Sequence, residues 1–141
     1  MSRSTDPHAD LKMEVDSADG FLLATISGAV SLSRSLELLK AICDAGVARG
    51  FQKILVDCLA VTGELSLRER YALGKEVSEY MRTNQMSLKI AFLGEEPVTN
   101  GVAVGIAQNR GLDVESFSER QRALTWLHDP NSRPPPHRNT G

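Results

Sequence analysis

Few residues in this chain have the type and spacing that chemistry requires, and they are scattered. Asp57 ends the apolar run Ile54-Leu55-Val56. A carboxylate there could act as an acid or base, but no nucleophile with a base beside it accompanies it, and capping nearby loop amides is the simpler role. Glu64, Glu95 and Glu96 fall in the segments that follow two predicted strands, at 59–65 and 94–98, and neither segment holds a lysine or arginine. Such an acidic lip repels phosphate, which disfavours a nucleotide or phospho-sugar site. His8 and His137 stand near the ends of the chain, and His128 closes a predicted helix, where a cationic ring favours the helix dipole. Cys43 and Cys58 lack metal-ligand spacing and read as small apolar thiols of the core. The chain has no Gly-x-Ser-x-Gly elbow, no phosphate-binding Gly-x-x-x-x-Gly-Lys-Ser/Thr and no Gly-x-Gly-x-x-Gly after a strand. The expectation is therefore a protein without catalytic residues, metal or cofactor, and not an enzyme.

The segment Leu59-Ala60-Val61-Thr62-Gly63-Glu64-Leu65 is more informative, because Leu59, Val61 and Leu65 are apolar where a loop near the surface is expected. They either fold back over the end of a sheet or form an exposed patch for a partner or an apolar ligand. Ser66-Leu67-Arg68-Glu69 follows, with a serine and a glutamate spaced to satisfy each other's free amides at a helix start. Leu59, Val61, Thr62, Leu65, Ser66 and Arg70 are the candidate partner-binding residues.

Composition sets the frame. At 141 residues the chain is one domain's worth. Its 41% hydrophobic and 24% charged residues are ordinary for a globular protein. A net charge of −2 disfavours a strongly basic nucleic-acid binder. Residues 1–10 are polar and lack the apolar run of a leader or anchor, and the apolar stretch 101–107 is far short of the ~20 residues of a membrane span. A cytoplasmic protein is expected, with residues 1–10 and the proline-rich tail 129–141 disordered and a single domain over 11–128. The tail's Arg-Pro-Pro-Pro-His-Arg reads as unstructured chain rather than as a polyproline ligand.

Several elements must position these residues. Leu11–Asp16 alternates as a strand with Leu11, Met13 and Val15 on one face, and Asp19-Gly20 turns it into a second strand over 21–27. Residues 32–49 fit a helix whose inner face carries Leu32, Leu36, Leu39, Cys43 and Val47, with Leu38 and Ile42 at its flank. Lys53–Cys58 reads as a strand apolar on both faces. A helix from Leu67 to Arg82 would turn Leu67, Tyr71, Gly74, Val77 and Met81 inward, with Gly74 allowing close approach to the sheet. Leu88–Leu93 is a strand. In 99–110, Val102, Val104 and Ile106 alternate as in a strand, yet Gly101, Gly105 and the ending Arg110-Gly111 favour a tightly packed helix. A strand at 114–117 and a helix over 118–128, capped by Ser118-x-x-Gln121 and turning Ala123, Leu124, Trp126 and Leu127 inward, complete the order. Strands separated by helices call for right-handed crossovers and a mostly parallel sheet, its first strand an antiparallel edge, with about four helices.

This order and three local signatures resemble the SpoIIAA-like group of the STAS superfamily, the domains of sulphate transporters and anti-sigma-factor antagonists. The signatures are Asp19-Gly20-Phe21 leading to Ile26-Ser27-Gly28, Ile54-Leu55-Val56-Asp57, and the ending from Phe117 to Trp126-Leu127 with Ala123 between. The resemblance implies an α/β fold and a regulatory, non-catalytic module that binds a protein partner. Anti-sigma-antagonist domains carry a phosphorylated Ser or Thr at the start of the helix after the central strand, in an Asp-Ser-x-Gly pattern. Ser66 occupies that place and is the candidate phosphoacceptor, although Leu65 and Arg68 stand where the pattern has Asp and Gly. The group's relation to CRAL-TRIO domains implies an alternative, a carrier of a small apolar ligand such as a lipid. A homodimer is compatible with either.

Overall fold

The computed structural model describes residues 10–95 and 101–131. Its elements are β1 (Lys12–Ala18), β2 (Phe21–Ala29), α1 (Leu32–Ala48), β3 (Lys53–Thr62), α2 (Leu67–Thr83), β4 (Lys89–Leu93), α3 (Gly101–Asn109), β5 (Asp113–Phe117) and α4 (Arg120–His128). Within the ambiguous segment, Gly101–Asn109 is helix rather than strand, and Gly111 follows it at φ +88°. The hairpin turn sets Gly20 at φ +81°, which a residue without a Cβ adopts freely. Beyond it β1 and β2 pair antiparallel. Every later pairing is parallel, and the strand order is β1-β2-β3-β4-β5. Because that order never reverses, right-handed crossovers put α1, α2 and α3 on one face. The fold is thus α/β, a mostly parallel sheet with one antiparallel edge strand and four helices among the described residues. Apart from Asp10 and residues 129–131, the segments expected to be disordered lie outside the described residues; Asp10 bridges to Ala29.

The sheet's two faces carry separate cores. Leu22, Ala24, Ile26, Ile54, Val56, Ile90 and Val114 pack with Leu38, Ile42 and Cys43 of α1, Met81 of α2 and Ala107 of α3. Phe21, Leu55, Ala91 and Leu93 face the other way, against Ala123 and Leu127 of α4. Alternation along β3 and β4 feeds both, as a strand apolar on both faces must. The far edge of β5 is closed by side chains: Gln108 donates to the Val114 carbonyl at 2.9 Å, and Glu115 accepts from the Ser116 amide at 3.2 Å.

The helices sit differently from the simplest reading of their apolar spacing. On α1 the buried residues are Ser35, Leu38, Ile42, Cys43 and Gly46, while Val47 is 54% exposed. Small residues turn toward the sheet because a Cβ on Gly46 would lie 2.8 Å from Ile54 Cδ1. On α2, Gly74, Ser78 and Met81 are buried, whereas Leu67 and Tyr71, expected inward, are exposed. Gly74 allows a close approach, but to α3 rather than to the sheet: a Cβ there would meet the Ala103 carbonyl oxygen at 2.6 Å. Gly105, by contrast, has open space where its Cβ would be, so it makes no tight contact among the described residues. The expected Ser118 cap does not form; α4 starts after Glu119 with no side-chain cap.

Candidate functional site

β3 runs four residues past the expected end at Cys58, so 59–62 is strand rather than loop. It gets there through a bulge. Thr25 pairs with Asp57 and Ser27 with Ala60, so β3 advances three residues while β2 advances two. An extra residue exchanges the two faces of a strand. Ile54, Val56 and Cys58 face α1–α3 before the bulge, and Val61 faces them after it. Asp57 stabilises the irregularity. Its Oδ1 accepts the Leu59 amide at 2.9 Å and its Oδ2 accepts from the Arg120 guanidinium at 2.5 Å. Asp57 is buried and caps a local amide as expected, but the lip is not bare of cations, since α4 delivers Arg120 to it. The sequence could not show this pair, whose members are 63 positions apart.

The structure divides the six candidate residues between two places. Leu59 (51% exposed), Thr62 and Ser66 are on the outside. Val61 and Leu65 are buried, 9% exposed each, and with the half-buried Arg70 they line a cavity beneath. The first alternative for the apolar segment, folding back over the sheet end, therefore holds for Val61 and Leu65. Leu59 does not fold back and is exposed.

Ser66 is the N-cap of α2. Its Oγ accepts from the Glu69 amide at 3.1 Å, and Glu69 Oε1 accepts from the Ser66 amide at 2.8 Å, so the capping box is complete. Leu67 (66% exposed) and Tyr71 (53%) follow on the next two turns, one turn apart on one side of the helix. Sequence reasoning placed both in the core because they share the inward spacing with Gly74. The tight contact of α2 with α3 is made at Gly74 itself, one to two turns further on. Helical position alone does not reveal where the covering element ends.

The cavity has a volume of about 130 Å³ and lies between the sheet and α1, α2 and α3. Ile26, Ile90, Phe92 and Val114 line it from the sheet, Leu39 from α1, Leu73, Val77 and Met81 from α2, and Ala103, Val104 and Ala107 from α3. The charged residues on its wall are Glu64 and Arg70. Among the described residues Arg70 makes no ion pair. Cys58 also lines it, with its thiol pushed up to about 12 by burial and then by the nearby Asp57 charge; Cys43 is likewise pushed up to about 12, by burial and then by Asp44. Both thiols are neutral at physiological pH and poor nucleophiles. Among the described residues no three His, Cys, Asp or Glu side chains come together to hold a metal, and no helix is long and apolar enough to cross a membrane.

No protein-family model matches the chain, and no curated protein matches it by sequence. Solved structures do. A crystal structure of an anti-sigma factor antagonist from Mycobacterium paratuberculosis superposes with a TM-score of 0.59 at 17% identity, covering 85% of this chain and 96% of the other. An uncharacterized protein with a SpoIIAA-like fold from Shewanella loihica gives a TM-score of 0.53 at 16% identity, covering 89% of this chain and 99% of the other. The β-hairpin edge, the ascending parallel strands and the helix opened by Ser66 thus make up a SpoIIAA-like fold.

Proposed function

We propose that this chain is a non-catalytic, regulatory interaction module of the cytoplasm that binds a protein partner through the end of β3 and the first turns of α2. The observation that carries the reading is Leu67 and Tyr71 held exposed side by side on a capped helix. Apolar side chains presented on a rigid element lose little entropy on binding and gain the burial a partner supplies. Leu59 and Thr62 at the end of β3, and Ser66 at the helix cap, extend the surface; the likeness to an anti-sigma factor antagonist supports a protein as the partner. Ser66, as phosphoacceptor, would place a phosphate where the α2 dipole favours it, at the cost of the bond that Glu69 makes there.

The test is affinity capture with the native chain, Tyr71→Glu, and the control Val47→Glu, which alters an exposed valine on α1. A partner retained by the native chain and by Val47→Glu, and lost with Tyr71→Glu at unchanged melting temperature, is the expected result. Equal retention by all three removes this surface. Sedimentation of the purified chain shows whether the partner is a second copy.

A second reading, binding of a small apolar ligand, is favoured by the cavity beneath the same segment. Native mass spectrometry that finds no ligand bound, together with no shift in melting temperature on adding apolar compounds, would count against it.

A further inference from the structure

We infer that the cavity takes a small monocarboxylate with a compact apolar body, about the size of one aromatic ring, whose carboxylate pairs with Arg70. The inference rests on the apolar-ligand reading and narrows it by size and by charge. A dry apolar cavity of about 150 Å³ in another small protein accepts benzene, and the volume here is about 130 Å³. That space holds a ring or a short branched chain. Val77, Met81, Ile90 and Val104 supply the apolar wall.

The polar requirement comes from Arg70. It stands at the end of the first turn of α2, half-buried, against the same cavity, and makes no ion pair among the described residues. A guanidinium beside an apolar wall is weakly hydrated and presents two parallel donors, the geometry a carboxylate matches. Glu64 also lines the cavity but is exposed, so water screens its repulsion of an anion more than it screens the attraction of Arg70. A neutral hydrocarbon would leave Arg70 unused, and an ammonium compound would meet it as a like charge.

Benzoate and toluene are the probes, titrated separately into the full chain while the methyl resonances of Val77, Met81, Ile90 and Val104 are followed by NMR. Benzoate is expected to shift these methyls saturably. Arg70→Gln should weaken benzoate about tenfold, the loss of one charge-assisted pair, and leave toluene unchanged. Glu64→Gln should tighten benzoate, and Val104→Phe should block both probes by filling the space. If toluene binds but benzoate binds no better, or is indifferent to Arg70→Gln, the carboxylate assignment is overturned while the apolar-ligand reading stands. If neither probe shifts the cavity methyls at millimolar concentration, both fail. Arg70 is partly exposed, so its variant tests the assignment even if Val104→Phe does not fold.

Discussion

The two faces of the sheet are packed by different means. On the α4 face, Leu55, Ala91, Leu93, Ala123 and Leu127 are all 0% exposed, and one short helix lies directly on the strands. On the other face three helices cover a larger core yet leave about 130 Å³ unfilled. The difference lies in what sets the helix positions. α4 is seated by Ala123 and Leu127, side chains that themselves fill the space. α1 and α2 are seated by glycines: Gly46 brings α1 down on Ile54, and Gly74 brings α2 against the backbone of α3. A helix fixed on another by backbone contact, as α2 is on α3, cannot also be moved inward to close the space beneath it. A cavity under α2 is the geometric consequence.

The largest test of this contrast is Leu127→Ala. On a face with no slack, removing a fully buried leucine leaves an empty volume, and a loss of about 3 kcal/mol is expected. Val104→Ala on the cavity wall, half-buried at the start, should cost about 1 kcal/mol. Urea midpoints measure both, and equal losses would mean that the two faces do not differ in packing. The glycines give the next effect. Gly74→Ala drives a Cβ into the Ala103 carbonyl, which is backbone and cannot yield, and should cost about 2 kcal/mol despite the better helix propensity of alanine. Gly46→Ala meets only the tip of Ile54, a flexible side chain, so gain and strain should cancel to within about 1 kcal/mol. If Gly46→Ala proves the worse of the two, the account of what seats the helices is wrong.

These details mark where the sequence stopped being legible. The order of elements followed from periodicity, turn residues and caps, which are local, and the mostly parallel sheet with its antiparallel edge strand followed from the crossover rule. What the spacing could not show was long-range. Leu67 shares its helical side with Gly74, but whether a neighbouring helix covers the first turn depends on where α3 lies. The bulge after Asp57 has no local signature: Cys58-Leu59-Ala60 reads equally well as strand end or loop. It decides which of Leu59 and Val61 is buried, and hence which candidate residue belongs to the surface and which to the cavity. The capping role of Ser66 was legible, because a capping box is written within four consecutive residues.

The bulge can be probed from either side of its ion pair. Asp57→Ala removes the acceptor of the Leu59 amide and leaves Arg120 unpaired, and about 2 kcal/mol should be lost. Arg120→Ala leaves Asp57 its amide, and because Arg120 is about half exposed its loss should stay under about 1 kcal/mol. An additional consequence separates the faces: Asp57→Ala should also disturb the cavity methyls, since Val61 is placed by the bulge, whereas Leu127→Ala should not. Cavity shifts that follow the α4 face instead would show the bulge to be held by α4 rather than by its own aspartate.

The smallest effect belongs to the first turn of α2, where Leu67 and Tyr71 stand outside both cores. Ser66→Ala removes one half of the capping box and should cost about 1 kcal/mol. Because no core residue depends on that turn directly, hydrogen exchange should speed up at 67–70 and leave Met81, Ile90 and Leu127 protected. Ser66→Asp keeps an N-cap acceptor and adds charge that the dipole favours, but that charge faces Glu69, whose carboxylate lies 2.8 Å from the Ser66 amide. The two acids should therefore couple. Glu69→Gln should stabilise the Ser66→Asp chain by about 0.5 kcal/mol more than it stabilises the native one, measured as a double-mutant cycle. A phosphate on Ser66 would carry more charge into the same geometry, so it would release Glu69 and reorient the turn that holds Leu67 and Tyr71. An absent coupling would mean that Glu69 swings away freely, and that charge at Ser66 leaves the exposed apolar pair where it is.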